Sequence, residues 1–195
     1  MINKLYPYIR RDREKGREEK KNLGAVIIDM QPGFLEDISE EDQEKLFKSQ
    51  IKTLEICAKR NYPTAILEFD KHYYGETDNK IKKAVETIPR HVYFEKFGND
   101  GFYKIEQQLK EWNIEKLCIM GISAAYCVKA TASSAKKKGK EILTARELIA
   151  SQTYRQEEFQ ECIPWFQKNT TYYQNYKELI NHITSSNEHP FAETE

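Results

Sequence analysis

Net charge is the first thing this 195-residue chain lacks: 31 Lys and Arg residues offset 31 Asp and Glu. With no bulk field of either sign, nothing favours a nucleic acid or an anionic membrane surface as partner. Cysteine is scarce, and none of the four (Cys57, Cys118, Cys127, Cys162) belongs to a CxxC pair. That spacing argues against a zinc ribbon or a disulfide scaffold, and it suits reduced thiols in the cytoplasm. No apolar run approaches the roughly 20 residues a membrane span requires. The first twenty residues are charged, and acidic residues are mixed into Ile9-Arg10-Arg11-Asp12-Arg13-Glu14-Lys15. They resemble neither a signal peptide nor a transit peptide. Internal repeats, low-complexity segments and linkers are also missing.

What is present reads as one soluble domain. Hydrophobic residues make up 39% and charged residues 32%, and the length suffices to bury a core. Residues 1–22 read as a charged N-terminal arm, 23–183 as the domain and 184–195 as a polar tail. Leu23 to Met30 is an uninterrupted apolar run, as in a strand covered on both faces. After Ser39-Glu40-Glu41-Asp42, a capping-box-like start, Leu46, Phe47, Ile51, Leu54 and Cys57 recur at helical spacing. Further strands are expected at Tyr62–Phe69, His91–Glu95, Lys116–Met120, Glu141–Thr144 and Thr170–Tyr173. Helices are expected at Asn79–Thr87, Gly101–Trp112, Ala125–Lys138, Gln156–Gln167 and Lys177–Ile183, with Gly139 placed as a cap. The alternation predicts a three-layer α/β/α Rossmann-like sandwich around a mostly parallel sheet of about six strands.

In such a sheet, functional groups collect at the carboxyl ends of strands. Asp29 closes the first strand and Lys96 the third, and Cys127 follows the fourth after a short turn. An acid, a cation and a thiol on one edge are the parts of a nucleophilic site. Cys127, in the first turn of its helix and beside Lys96, is expected to have a lowered pKa, with Asp29 taking its proton. Cys57 and Cys118 fall in apolar patterns, and Cys162 is expected to have no cation or base beside it.

Three motifs in order make the chain resemble the isochorismatase-like cysteine hydrolases, the family of nicotinamidases, carbamoylsarcosine amidohydrolases and ureidoacrylate hydrolases. Ile28-Asp29-Met30-Gln31-Pro32-Gly33-Phe34 is similar to D-x-Q-x-x-F. Glu95-Lys96-Phe97-Gly98-Asn99-Asp100-Gly101-Phe102 is similar to K-x-x-x-[SD]-x-F. Gly121-Ile122-Ser123-Ala124-Ala125-Tyr126-Cys127-Val128-Lys129-Ala130-Thr131-Ala132 carries the cysteine signature. The resemblance implies hydrolysis of a small amide, ureide or carbamate through a thioester on Cys127. It also implies a cis peptide at Ile122–Ser123, with the Ser123 and Cys127 amides forming an oxyanion hole. Many members carry Thr-Asp where this chain has Ala124-Ala125, which weakens inference about the substrate.

Phe34, Phe102, Tyr126 and Ile122 are candidate pocket residues for a small planar substrate. Asp70 and His72 match the start of the nicotinamidase metal motif. His91 is the only further histidine before Lys96 and is expected to open a strand, and Gly75-Glu76-Thr77 resembles the G-x-T of metal-free members. The reading is therefore of an enzyme with no cofactor. Its alternatives are a metal-dependent nicotinamidase, a catalytically silent binding protein, and a vinyl-ether-cleaving isochorismatase, whose members lack the cysteine. Family members are commonly dimers or larger, which implies a homo-oligomer.

Overall fold

In the computed structural model, residues 22–185 are described. The expected arm at 1–21 and the tail from 186 lie outside them. Asn22 already belongs to the domain, because its carbonyl accepts from the amides of Glu115 and Lys116, each at 3.0 Å.

The central sheet has six strands: β1 (Leu23–Ile28), β2 (Thr64–Phe69), β3 (His91–Lys96), β4 (Lys116–Gly121), β5 (Glu141–Ala145) and β6 (Thr171–Tyr173). Their spatial order is β3-β2-β1-β4-β5-β6 and every pairing is parallel. The sequence pattern implied a mostly parallel sheet, and the observed one is wholly parallel. In β1, Ala25 and Ile27 face one helical layer and Val26 and Ile28 the other, each layer with its own buried cluster. The first layer holds α2 (Glu40–Arg60), α4 (Asn79–Val85) and α8 (Tyr176–Ser185). The second holds α5 (Phe102–Glu111), α6 (Lys129–Lys137) and α7 (Gln156–Asn169). Two faces to cover explain why β1 is apolar throughout. Among the described residues no helix is long and apolar enough to cross a membrane.

Local chemistry sets the boundaries. The Ser39 side chain accepts from the Asp42 amide at 3.3 Å, and Glu40, Glu41 and Asp42 occupy the first turn of α2. Lys59 and Arg60 occupy its last turn, so both ends complement the helix dipole. β1 stops two residues before the apolar run does, because Asp29 takes a left-handed conformation at φ 55°. Two four-residue helices, α1 (Pro32–Leu35) and α3 (Lys71–Tyr74), follow β1 and β2; both are too short to show periodicity. The helix expected from Ala125 begins as a π-helical turn, Ala124–Val128, before α6. Ser123 O accepts from both Tyr126 N (2.9 Å) and Val128 N (3.3 Å). Such widened turns are common at functional sites.

The chain runs outward from β1 through β2 to β3, then returns to place β4 on the other side of β1. The order therefore reverses between β1 and β4, where open α/β sheets form their ligand crevice. Gly121 ends β4 there at φ 149°, and a Cβ on it would lie 2.1 Å from Ile28 O. Gly121→Ala should therefore destabilise the fold by on the order of 3 kcal/mol or more, through both backbone strain and the clash. Urea unfolding would measure the loss.

Candidate active site

Lys96 is the last residue of an edge strand, yet it is fully buried. Its side chain crosses the end of β2, with Nζ 4.6 Å from the centroid of the Phe69 ring. It ends 2.9 Å from Asp29 Oδ2, at the end of β1. Nζ also donates to Gly98 O at 3.2 Å. The path requires Gly101, because a Cβ there would come within 2.9 Å of Lys96 Cδ and 2.5 Å of Leu67 Cδ1. Asp29 is equally buried, and its Oδ1 has no hydrogen-bond partner among the described residues. Cys127 lies in the π-helical turn after β4, and its thiol points to Asn99 Oδ1 at 3.6 Å.

Burial dominates the electrostatics. It raises the Asp29 carboxyl above its ordinary range, although the Lys96 charge and hydrogen bond pull the other way. It also pushes the Cys127 thiol up to about 12; the Asp29 charge adds to that rise and Lys96 opposes it. This corrects the expectation of a lowered thiol pKa: the cation is present, but desolvation of a residue only 4% exposed outweighs it. Cys57 is pushed to about 12 and Cys118 well above its ordinary value, both by burial. Cys162 needs a second correction. Burial raises it to about 11, while Lys129 and Arg146 lie close enough to oppose the shift. Its thiol is turned inward, donating to Phe159 O at 3.1 Å.

The Ile122–Ser123 peptide is trans, since no cis bond occurs among the described residues. The turn is made instead by Ser123, left-handed at φ 61°. Its hydroxyl pairs with Gln152, whose Nε2 donates to Ser123 Oγ at 3.0 Å. The Ser123 amide donates to no acceptor among the described residues.

Above these groups opens a cavity of about 530 Å³. Phe34, Phe69 and Tyr74 form one wall, with Phe34 stacked on Tyr74 at 4.2 Å and edge-on to Phe69 at 6.1 Å. Asn99, Ser123, Tyr126, Cys127, Gln152, Tyr154 and Arg155 complete much of the rest. Of the four expected pocket residues, Phe34 and Tyr126 line the cavity. Phe102 and Ile122 do not: Phe102, the first residue of α5, is buried in the core of that helical layer, and Ile122 is sealed in the core beside β4.

Asp70 and His72 do not form a metal centre with a third donor. Asp70 precedes α3 in a left-handed conformation, His72 is exposed, and His91 opens β3 with Nδ1 2.7 Å from Ile88 O. Among the described residues no three His, Cys, Asp or Glu side chains are grouped to hold an ion. A catalytic zinc takes three protein ligands, and the described residues group no such set here.

The isochorismatase domain family matches residues 24–171. The chain belongs to the isochorismatase family. Solved structures share its fold at low identity. A MAR1 ribonuclease from Caenorhabditis elegans is 16% identical, with TM-score 0.75 over 87% of this chain and 85% of that one. A Staphylococcus aureus nicotinamidase is 20% identical, with TM-score 0.69 over 79% and 98%. The Escherichia coli YcaC product, described as an octameric hydrolase of unknown specificity, is 18% identical, with TM-score 0.68 over 91% and 83%. A comparison with curated proteins finds no match.

The isochorismatase motifs have physical tasks here. Gln31 clamps the end of β2, accepting from Phe69 N at 2.7 Å and donating to Phe69 O at 3.0 Å and to Gly75 O. Asp100 accepts from Phe102 N and from Ser134 Oγ, and Thr131 Oγ1 accepts from Gly101 N at 3.0 Å. These bonds fasten the loop after Lys96 onto α6. Thr77 donates twice, from N and Oγ1, to the buried Glu68 carboxylate at 2.8 Å. The sequence reading missed Phe69, Asn99, Gln152 and Arg155. Phe69 ends β2 and the others follow β3 or β5, all at the same sheet edge as Asp29, and that position was the available signal.

Two measurements test the electrostatics. Lys96→Met leaves a buried carboxylate unpaired and should cost about 3–5 kcal/mol at pH 7 in chemical denaturation. A carboxyl whose folded pKa is raised gives most stability at low pH, so that loss should shrink as pH falls toward 4. Adding Asp29→Asn to Lys96→Met should recover part of the loss. Iodoacetamide labelling of resting Cys127 should rise about tenfold per pH unit from 7 to 10, without a plateau.

Proposed function

We propose that this isochorismatase-family protein is a cysteine hydrolase that cleaves a C–N bond of a small amide, ureide or carbamate in the cytoplasm, without a cofactor. The observation that carries the reading is the division of Asp29. Lys96 holds Oδ2, while buried Oδ1 has no geometric hydrogen-bond partner among the described residues and the Cys127 thiol lies close enough to sense both charges. An open carboxylate oxygen near a thiol suits a general base.

In this reading a neutral thiol is the resting form, because a group at about 12 is almost wholly protonated near neutral pH. Asp29 takes the thiol proton as Cys127 Sγ attacks the substrate carbonyl, and Lys96 balances the negative charge that forms. The oxyanion faces the backbone amides of Ser123 and Cys127, the former free of any other acceptor among the described residues. The C–N bond breaks as Asp29 returns the proton to the leaving nitrogen, leaving a thioester on Cys127. Asp29 then takes a proton from water, which attacks the thioester; the acid departs and the proton returns to the thiol. The aromatic wall of Phe34, Phe69 and Tyr74 suits a substrate with a flat apolar part.

A metal-dependent nicotinamidase fits less well, because Asp70 and His72 lack a third ligand. A silent binding protein leaves the cost of a buried ion pair beside a thiol without purpose. Vinyl-ether cleavage has no use for Cys127. The octameric state described for the YcaC product supports a homo-oligomer, which sedimentation velocity would test.

A screen of small amides, ureides and carbamates, scored by release of ammonia or acid, is the direct test. Cys127→Ala should abolish turnover with the fold intact, and rapid quenching of wild type should yield an acyl adduct on Cys127 by mass. Full turnover by Cys127→Ala would overturn the proposal.

A further inference from the structure

Among the described residues lining the active-site cavity, Arg155 is the only Lys, Arg or His, and it arrives there by construction. It ends a short 3-10 turn, Thr153–Arg155, after β5. That turn is tied across the cavity mouth by Thr153 N and Oγ1, which both donate to Asp37 O at 2.7 Å. Its other end is fixed by Arg155 N donating to Gln152 O at 2.9 Å. The guanidinium lies 4.3 Å from the Tyr126 ring centroid and 5.4 Å from that of Tyr154. Tyr126 is the residue before the nucleophile.

Two rings thus flank a cation at the cavity wall, whose charge a Tyr154 hydrogen bond and the nearby Glu158 carboxylate also favour. Among the described residues Arg155 forms no ion pair. Glu158, on the next turn, instead accepts from the Tyr126 hydroxyl at 3.5 Å. Asp37 lines the cavity as well, but it does not pair with Arg155, so the two charges mark separate places. A half-buried guanidinium resting beside an aromatic ring is already partly ordered and loses little further entropy on engaging a partner. The ligand that matches a planar, bidentate donor fork is a carboxylate.

We propose that the substrate carries a carboxylate bound by Arg155, in addition to the amide-type carbonyl attacked by Cys127. The inference rests on Cys127 as nucleophile. It narrows the substrate from small amides in general to amide-bearing carboxylic acids. A cavity of about 530 Å³ has room for both functional groups at once.

The test uses pairs in which a second amide replaces the carboxylate, such as succinamic acid against succinamide and glutaramic acid against glutaramide, compared by initial rate per amide. Wild type should favour the acid of each pair in kcat/KM. Arg155→Gln should reduce that preference by about tenfold to a hundredfold, the usual worth of hydrogen bonds to a charged group. Arg155→Lys, which keeps the charge and loses the fork, should fall between. The loss should appear mainly in KM, because a positioning contact acts before bond cleavage. A binding assay separates this proposal from the hydrolase reading: glutarate, which has no amide to cleave, should protect Cys127 from iodoacetamide in wild type but not in Arg155→Gln. If that protection holds while no amide is turned over, the anion site stands and the hydrolase reading fails. If amides are hydrolysed with equal preference for acid and neutral partners in wild type and Arg155→Gln, the carboxylate proposal is overturned and the hydrolase reading survives.

Discussion

Two opposite charges, Asp29 and Lys96, meet 2.9 Å apart with no solvent contact, and the burial cost of each is bearable only because of the other. That requirement reaches well beyond the pair. Lys96 starts on an edge strand and must run under Phe69 and past Gly101 to reach the end of β1. The strand order, the glycine and the aromatic ring are therefore parts of one solution. A longer side chain at 101, or a β2 end displaced by loss of the Gln31 clamp, would deprive the ion pair of its geometry.

The same burial that protects the pair holds the thiol protonated. The site differs in this from one in which a cysteine rests as thiolate, exposed to any electrophile. In the proposed mechanism, nucleophilicity is confined to the moment when Asp29 can accept a proton and a carbonyl is in reach. The left-handed backbone at Asp29 and Ser123, on either side of the point where strand order reverses, belongs to the same economy. Strain is retained where two strand ends must turn their side chains toward one spot.

Most of the fold was legible because its signals are long and redundant. The apolar β1 run, the capped α2 and the alternation of strands and helices each exceed a turn or two of chain, and each matched within a few residues. The three charged and thiol groups were legible for a different reason: parallel topology sends every strand's carboxyl end to one edge. What could not be read depends on balances and small angles. Sequence places a cation near Cys127 but does not say how dry the sulfur is, so the direction of its pKa was misjudged. It places Phe102 and Ile122 beside motif residues but not on which side of the sheet edge they fall. The four-residue helices and the π-helical turn leave no periodic trace, and the cations near Cys162 come from α6 and the segment after β5, far away in sequence.

The cavity is walled by segments from separate strand ends, while the ion pair lies beneath them, inside the sheet's own edge. Phe34 arrives after β1, Tyr74 after β2, Asn99 after β3, Tyr126 after β4 and Arg155 after β5. Each wall piece can change size or charge without moving the strand that carries it, and none of them holds Asp29 to Lys96. A protein built this way separates the lining of its cavity from the buried charges beneath it. Wall pieces on such a scaffold can be exchanged one at a time while the strands stay put, which is a way for sequences sharing under a quarter of their residues to keep a single fold.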